Sequence, residues 1–182
     1  MLKPKVCVLR SAGTNCDQET AAAFKIAGAD VKLLHVNSLV TGKHKLDDFH
    51  ILALPGGFSY GDDIASGKIL ANELRFKLAD SLRKFIVERK LIICICNGFQ
   101  ILVKSGLLPG QSPLLPGSPN LNQTTSLIIN DSGKFEVRWV YLKPGGKCVW
   151  TKGLKKIIYL PVAHGEGKFV TQGKLVLNRL KK

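Results

Sequence analysis

The chain predicts an α/β sandwich with a mainly parallel central sheet. Three observations carry that reading. Short β-branched apolar runs at 5–9, 31–36, 51–54 and 91–95 alternate with helical periodicities at 17–27, 68–90 and 97–106, the pattern of helices covering a parallel sheet. The run at 91–95 is apolar throughout, as expected of a strand covered on both faces. With 182 residues, the chain has the length of one domain and can bury its own core.

The elements follow in order. KVCVL at 5–9 ends in Arg10-Ser11-Ala12-Gly13-Thr14-Asn15, a turn cluster. Thr20, Phe24 and Ala27 then recur at helical spacing, with Gly28 at the end. VKLLHV at 31–36 is the second strand, and a polar stretch leads to the third, 51–54, stopped by Pro55-Gly56-Gly57. After a loop at 58–67, one long helix is expected over 68–90. Leu70, Leu74, Leu78, Leu82 and Ile86 form its apolar stripe, and Lys68, Glu73, Arg75, Lys77, Asp80, Lys84 and Glu88 its solvated face. Beyond Pro109 the texture changes to proline and glycine turns. Strand-like segments at 126–129, 135–142, 149–151 and 157–162 predict an antiparallel extension of the same domain. No repeat or linker divides the chain, so a single domain over 1–182 is expected.

Composition narrows the function classes. Hydrophobic residues make up 45% of the chain, which excludes disorder as its main state. The longest apolar runs, 91–96 and 157–163, are far short of the roughly 20 residues a membrane helix needs. There is no secretory leader, so a cytoplasmic protein is expected, without a membrane partner. The net charge is +14, but the lysines are scattered rather than gathered with aromatics on one element. That argues for a solvated surface and against nucleic acid as a partner. Five cysteines without C-x2-C spacing fit neither a disulfide framework nor a zinc site, and the four histidines show no ligand spacing. No metal is expected.

Three segments could carry chemistry. In Leu91-Ile92-Ile93-Cys94-Ile95-Cys96-Asn97-Gly98-Phe99-Gln100 an apolar strand delivers Cys96 to a turn from which a helix starts. That arrangement is a nucleophile elbow. A helix N-terminus favours thiolate there, and the backbone amide of Asn97 is placed to donate to an oxyanion. Cys94, on the strand, reads as core packing. Pro55-Gly56-Gly57-Phe58-Ser59-Tyr60-Gly61-Asp62 opens at the same carboxyl edge of a parallel sheet, where ligands bind. Its glycines let backbone amides approach a ligand closely. Pro161-Val162-Ala163-His164-Gly165-Glu166-Gly167 places a histidine two residues from a carboxylate. It reads either as part of a Cys–His–carboxylate set or as a binding loop.

These segments, with Gly13-Thr14-Asn15-Cys16-Asp17 and Gly106-Leu107-Leu108-Pro109-Gly110, occur in an order that closely resembles a family of class I glutamine amidotransferases over essentially the whole chain. The family comprises the glutaminase subunits of phosphoribosylformylglycinamidine synthase. The resemblance implies a flavodoxin-like sandwich in which Cys96 attacks the side-chain amide of L-glutamine. A glutamyl thioester would form, ammonia would leave and water would release glutamate. Backbone amides of Gly57 and Asn97 would hold the oxyanion. Gly56, Gln100, His164, Gly165 and Glu166 would line the glutamine pocket. The implied partners are a synthetase subunit and a small accessory subunit in purine synthesis. ATP and Mg would bind to the synthetase, and no cofactor to this chain.

Two departures from the family pattern bear on this. Cys94 stands where the family elbow usually has glycine, so packing behind the turn differs. The family's catalytic His and Glu come from a Pro-His-Pro-Glu segment near the C-terminus, and the 182 residues contain no such segment. His164 and Glu166 copy the H-x-E spacing but match a different motif. The expectation is therefore a C-terminally truncated subunit with the nucleophile and pocket but little or no glutaminase activity alone. The alternative is a catalytically incomplete binding subunit.

Overall fold

The computed structural model describes residues 2–110, 121–145 and 148–181. They form two compact units. One comprises Met1–Leu127 with Val170–Lys182, and the other Ile128–Phe169.

The first unit is built on four parallel strands, β1 (Lys5–Arg10), β2 (Asp30–His35), β3 (Ile51–Leu54) and β4 (Leu91–Cys94), in the order β2-β1-β3-β4. Alternation along β1 divides the core. Cys7 and Leu9 face one side of the sheet and Val6 and Val8 the other, and all four are buried. On the second side α1 (Asp17–Ile26) contributes Ala21 and Phe24. On the first side Leu70, Leu74, Leu82, Phe85, Ile101 and Leu102 pack from α3 (Lys68–Lys77), α4 (Ala79–Val87) and α5 (Asn97–Lys104). The parallel sheet and its covering helices are as the sequence predicts.

Four details differ. The helix expected over 68–90 is two helices, broken at Leu78 (φ −123°, ψ 11°). The leucine stripe survives the break because Leu78 and Leu82 stay buried, and burial outweighs the lost helical geometry. The strand β4 is half-buried along its length rather than covered. It lies at the edge of the four strands, with no further strand beside it among the described residues. The polar stretch after β2 holds a short helix, α2 (Val36–Val40), capped by His35 Nδ1, which accepts from the Asn37 amide at 3.2 Å. The strand expected at 149–151 is a turn.

β5 (Thr125–Ile128) pairs with β8 (Lys168–Thr171), which is followed by α6 (Lys174–Leu180). Sequence periodicity had marked neither β8 nor α6. The second unit is a hairpin of β6 (Glu136–Leu142) and β7 (Ile158–His164), paired antiparallel from Glu136↔His164 to Leu142↔Ile158. Tyr159 stacks between Trp139 and Tyr141, with ring centroids 4.9 and 4.6 Å away.

Candidate active site

The strand β4 ends at Cys94, and two residues later the chain reverses. Cys96 adopts φ 52°, ψ −112°, a conformation an L-residue rarely takes, and α5 starts at the next residue. Hydrogen bonds on both sides hold it there. The Ile95 amide donates to the Leu54 carbonyl at 3.0 Å and the Gly98 amide to the Ile95 carbonyl at 2.9 Å. The amides of Phe99 and Gln100 donate to the Cys96 carbonyl at 2.9 and 3.2 Å. The result is an exposed thiol on a strained turn at a helix N-terminus. Gly98 permits it. A methyl group there would lie 2.1 Å from the Leu54 carbonyl oxygen, so only glycine lets α5 rest on the end of β3.

The Asn97 side chain is buried and ties the elbow to the loop after β3. Its Oδ1 accepts from the Ser59 amide at 3.1 Å, and its Nδ2 donates to Asp62 Oδ1 at 3.1 Å and to Gln100 Oε1 at 3.0 Å. Because Asp62 can only accept and the Ser59 amide can only donate, the Asn97 amide has one orientation. Asp62 Oδ1 also accepts from the Gly67 amide at 2.9 Å. This holds a loop in which Tyr60, Gly61 and Asp62 are successively left-handed. Behind it, the buried Lys104 donates to the Ser66 carbonyl at 2.8 Å. Gln100 lies buried against Asn97.

Gly56 and Gly57 sit where the loops after β1 and β3 meet. The Phe58 amide donates to the Gly13 carbonyl at 2.9 Å, the Tyr60 amide to the Ala12 carbonyl at 2.8 Å, and the Cys16 amide to the Gly56 carbonyl at 3.3 Å. A methyl on Gly57 would lie 2.7 Å from the Asn15 amide nitrogen, and the residue's φ is +138°. A methyl on Gly56 would lie 3.3 Å from Cys96 Cβ and 3.6 Å from Cys16 Sγ. Gly56 is thus the floor between two cysteines.

The first unit therefore gathers Cys96, Asn97, Gln100, Gly56 and Gly57 at one carboxyl edge of the sheet. His164, Gly165 and Glu166 belong to the second unit, where Asn130 organises their loop. Asn130 Nδ2 donates to the Lys134 and His164 carbonyls, both at 2.8 Å, and its Oδ1 accepts from the Gly167 amide at 2.8 Å. That oxygen also faces His164 Nδ1 at 3.0 Å, so Nδ1 carries the proton and, in the neutral ring, Nε2 the lone pair. A methyl on Gly167 would lie 2.1 Å from the His164 ring. Among the described residues no group of three or more His, Cys, Asp or Glu side chains could hold a metal ion.

Burial separates the thiols. It pushes Cys7 up to about 12 and Cys94 up to about 11. Cys94 packs against the core, as its strand position suggests. Cys16 is raised by partial burial and then by Glu19, Cys96 and Asp17. Sequence reasoning did not single out Cys16, Ser59, Asp62 or Asn130 as site residues. The signal for Cys16 was topological, since its loop follows β1 at the same sheet edge as Cys96.

A parallel α/β sandwich that presents a strained, exposed cysteine between a strand and a helix defines a class of cysteine-nucleophile domains. Within that class the chain belongs to the family of the CobB/CobQ-like glutamine amidotransferase domain, which matches residues 3–182. It is 48% identical over 182 residues to phosphoribosylformylglycinamidine synthase subunit PurQ of Dehalococcoides mccartyi, across 99% of this chain and 68% of that protein. It is 40% identical over 184 residues to the PurQ subunit of Treponema denticola, across 98% and 68%. With PurQ of Methanococcus maripaludis (strain C5) it shares 44% over 167 residues, 91% of this chain and 60% of that one. The chain thus spans about two thirds of the length of these relatives. The solved structure of PurLQS from Thermotoga maritima matches 93% of this chain and 70% of that chain, with a TM-score of 0.74 and 34% identity. A glutamine amidotransferase of the same organism, 15% identical, shares the fold at a TM-score of 0.55. The class I glutamine amidotransferase fold expected from the sequence is therefore the fold observed.

Proposed function

We propose that this chain is a glutaminase subunit of phosphoribosylformylglycinamidine synthase. The observation that carries the reading is the elbow, where Cys96 is held at φ 52° with Gly98 packed against the Leu54 carbonyl. The Cys96 thiolate attacks the side-chain amide carbon of L-glutamine. The developing oxyanion accepts from the backbone amides of Asn97, first in α5, and Gly57, in the loop after β3. Ammonia leaves with a proton, and water then attacks the thioester to give glutamate and the free thiol. Gly56 leaves room beside the nucleophile. Gln100 bounds the glutamine pocket through Asn97. The ammonia passes to a synthetase subunit that works with a small accessory subunit. ATP and Mg belong to the synthetase. A cytoplasmic location fits the five free cysteines.

The test is covalent labelling. An electrophilic glutamine analogue is expected to modify Cys96 selectively, with L-glutamine protecting it in proportion to concentration. Peptide mapping that finds Cys148 or Cys16 labelled as fast as Cys96, with no protection by glutamine, would refute the assignment. In the assembled synthase, Cys96→Ala is expected to remove whatever glutamine-dependent product this chain supports and to leave ammonia-dependent product intact.

A further inference from the structure

The glutaminase chemistry uses one thiol, yet two stand at the site. We propose that Cys16 and Cys96 form a reversible disulfide, which makes this sheet edge a site of oxidative modification by hydroperoxides. The inference rests on the position of the two cysteines and not on the glutaminase reading.

The geometry begins with Gly56. The space a methyl group would occupy there is bounded by Cys96 Cβ at 3.3 Å and Cys16 Sγ at 3.6 Å. Both side chains therefore border the space left by the missing Gly56 side chain. Both are exposed, so an oxidant reaches them and their side chains can turn without disturbing the core. A disulfide requires Cβ atoms about 3.8 Å apart. Cys96 Cβ and Cys16 Sγ border one methyl-sized space over Gly56, and the two exposed side chains can turn toward each other across it. The Cys16 amide is bonded to the Gly56 carbonyl at 3.3 Å, which ties the loop after β1 to the residue beneath the pair.

The two thiols differ in a way that orders the steps. Cys16 immediately precedes α1, and partial burial together with the nearby Glu19 and Asp17 carboxylates opposes a negative charge on its sulfur. Cys96 stands on the elbow, ahead of the amides that open α5. Cys96 is therefore the sulfur that meets the oxidant. Its thiolate attacks the O–O bond of a hydroperoxide. An S–O bond forms, the O–O bond breaks, and the peroxide is reduced to an alcohol or water while Cys96 becomes a sulfenic acid. The Cys16 sulfur then attacks Cys96 Sγ. The S–S bond forms, the S–O bond breaks, and the departing hydroxide leaves as water with the Cys16 proton. A small thiol reverses the step by exchange. While the disulfide stands, Cys96 cannot form a thioester, and overoxidation to sulfinic acid is blocked.

The other cysteines give the test its controls. Cys7 is buried in the core, Cys94 sits half-buried on β4, and Cys148 lies in the second unit. Trypsin releases Cys16 in peptide 11–25, and Cys94 and Cys96 together in peptide 91–104. The full chain is treated with hydrogen peroxide, any remaining thiols are alkylated, and the digest is mapped by mass spectrometry without reduction. Before alkylation the intact chain is expected to lose about 2 Da, reversed by dithiothreitol, and the map to show 11–25 linked to 91–104 through Cys96. A link within 91–104, a link to Cys148, or a gain of about 32 Da on Cys96 with 11–25 unlinked would overturn the proposal. Cys16→Ser is expected to convert reversible oxidation of Cys96 into the irreversible form. The map of the unaltered chain decides the question even if that variant fails to fold.

Discussion

Asn97 shows how much one side chain settles at this site. Its three hydrogen bonds join the elbow, the loop after β3 and the first turn of α5, so the residue after the nucleophile also aligns the loop that carries Gly57. Next to it, Ser59 Oγ is buried and has no hydrogen-bond partner among the described residues, whereas the Ser59 backbone amide is bonded to Asn97. A buried hydroxyl without a partner costs stability, because water solvates it in the unfolded chain. Ser59→Ala is therefore expected to stabilise the protein by about 0.5–1 kcal/mol, read from the urea midpoint. A clear loss of stability would show that the hydroxyl has a partner after all.

Among the elements, the junction of β3, β4 and α5 has the least tolerance. The strand β4 brings Cys96 to the sheet edge, and α5 must begin at once for its first amides to point at the site. That is possible only because α5 lies directly on the Leu54 carbonyl at Gly98. Gly98→Ala would force helix and strand apart and is expected to cost about 3 kcal/mol, measured by thermal or denaturant unfolding. The same variant should slow labelling of Cys96 by an electrophilic glutamine analogue, since the elbow shifts with the helix. Wild-type stability for Gly98→Ala would mean that the contact relaxes freely. The break at Leu78 is the opposite case. Periodicity over 68–90 is continuous, and no glycine or proline marks a stop. Leu78 and Leu82 stay buried across the break, and periodicity alone does not show where the helix is interrupted.

At the scale of the whole molecule, burial gives the chain a pH signature. Cys7 is pushed to about 12 and Cys94 to about 11 by loss of solvent, and Tyr60 to about 12 by burial and its hydrogen bond to Glu73. The folded state therefore keeps protons that the unfolded chain releases at ordinary values. The contribution is fully present below about pH 9, where a thiol in the unfolded chain is protonated. It is lost as pH rises toward 11 and 12. Melting temperatures are expected to fall over that range, with Cys7 and Cys94 alkylated only after Cys16, Cys96 and Cys148. Early labelling of Cys7 would contradict its burial. The sequence by itself determined the parallel sheet and the elbow at Cys96, because strand and helix periodicities and the strand–cysteine–helix junction are local properties of the chain. Tertiary structure alone decided the edge position of β4, the break at Leu78, the Asn97–Asp62–Ser59 network and the approach of Cys16 to Cys96 over Gly56. Each of these depends on which distant segments share the sheet's carboxyl edge, and residue spacing does not encode contacts across eighty positions.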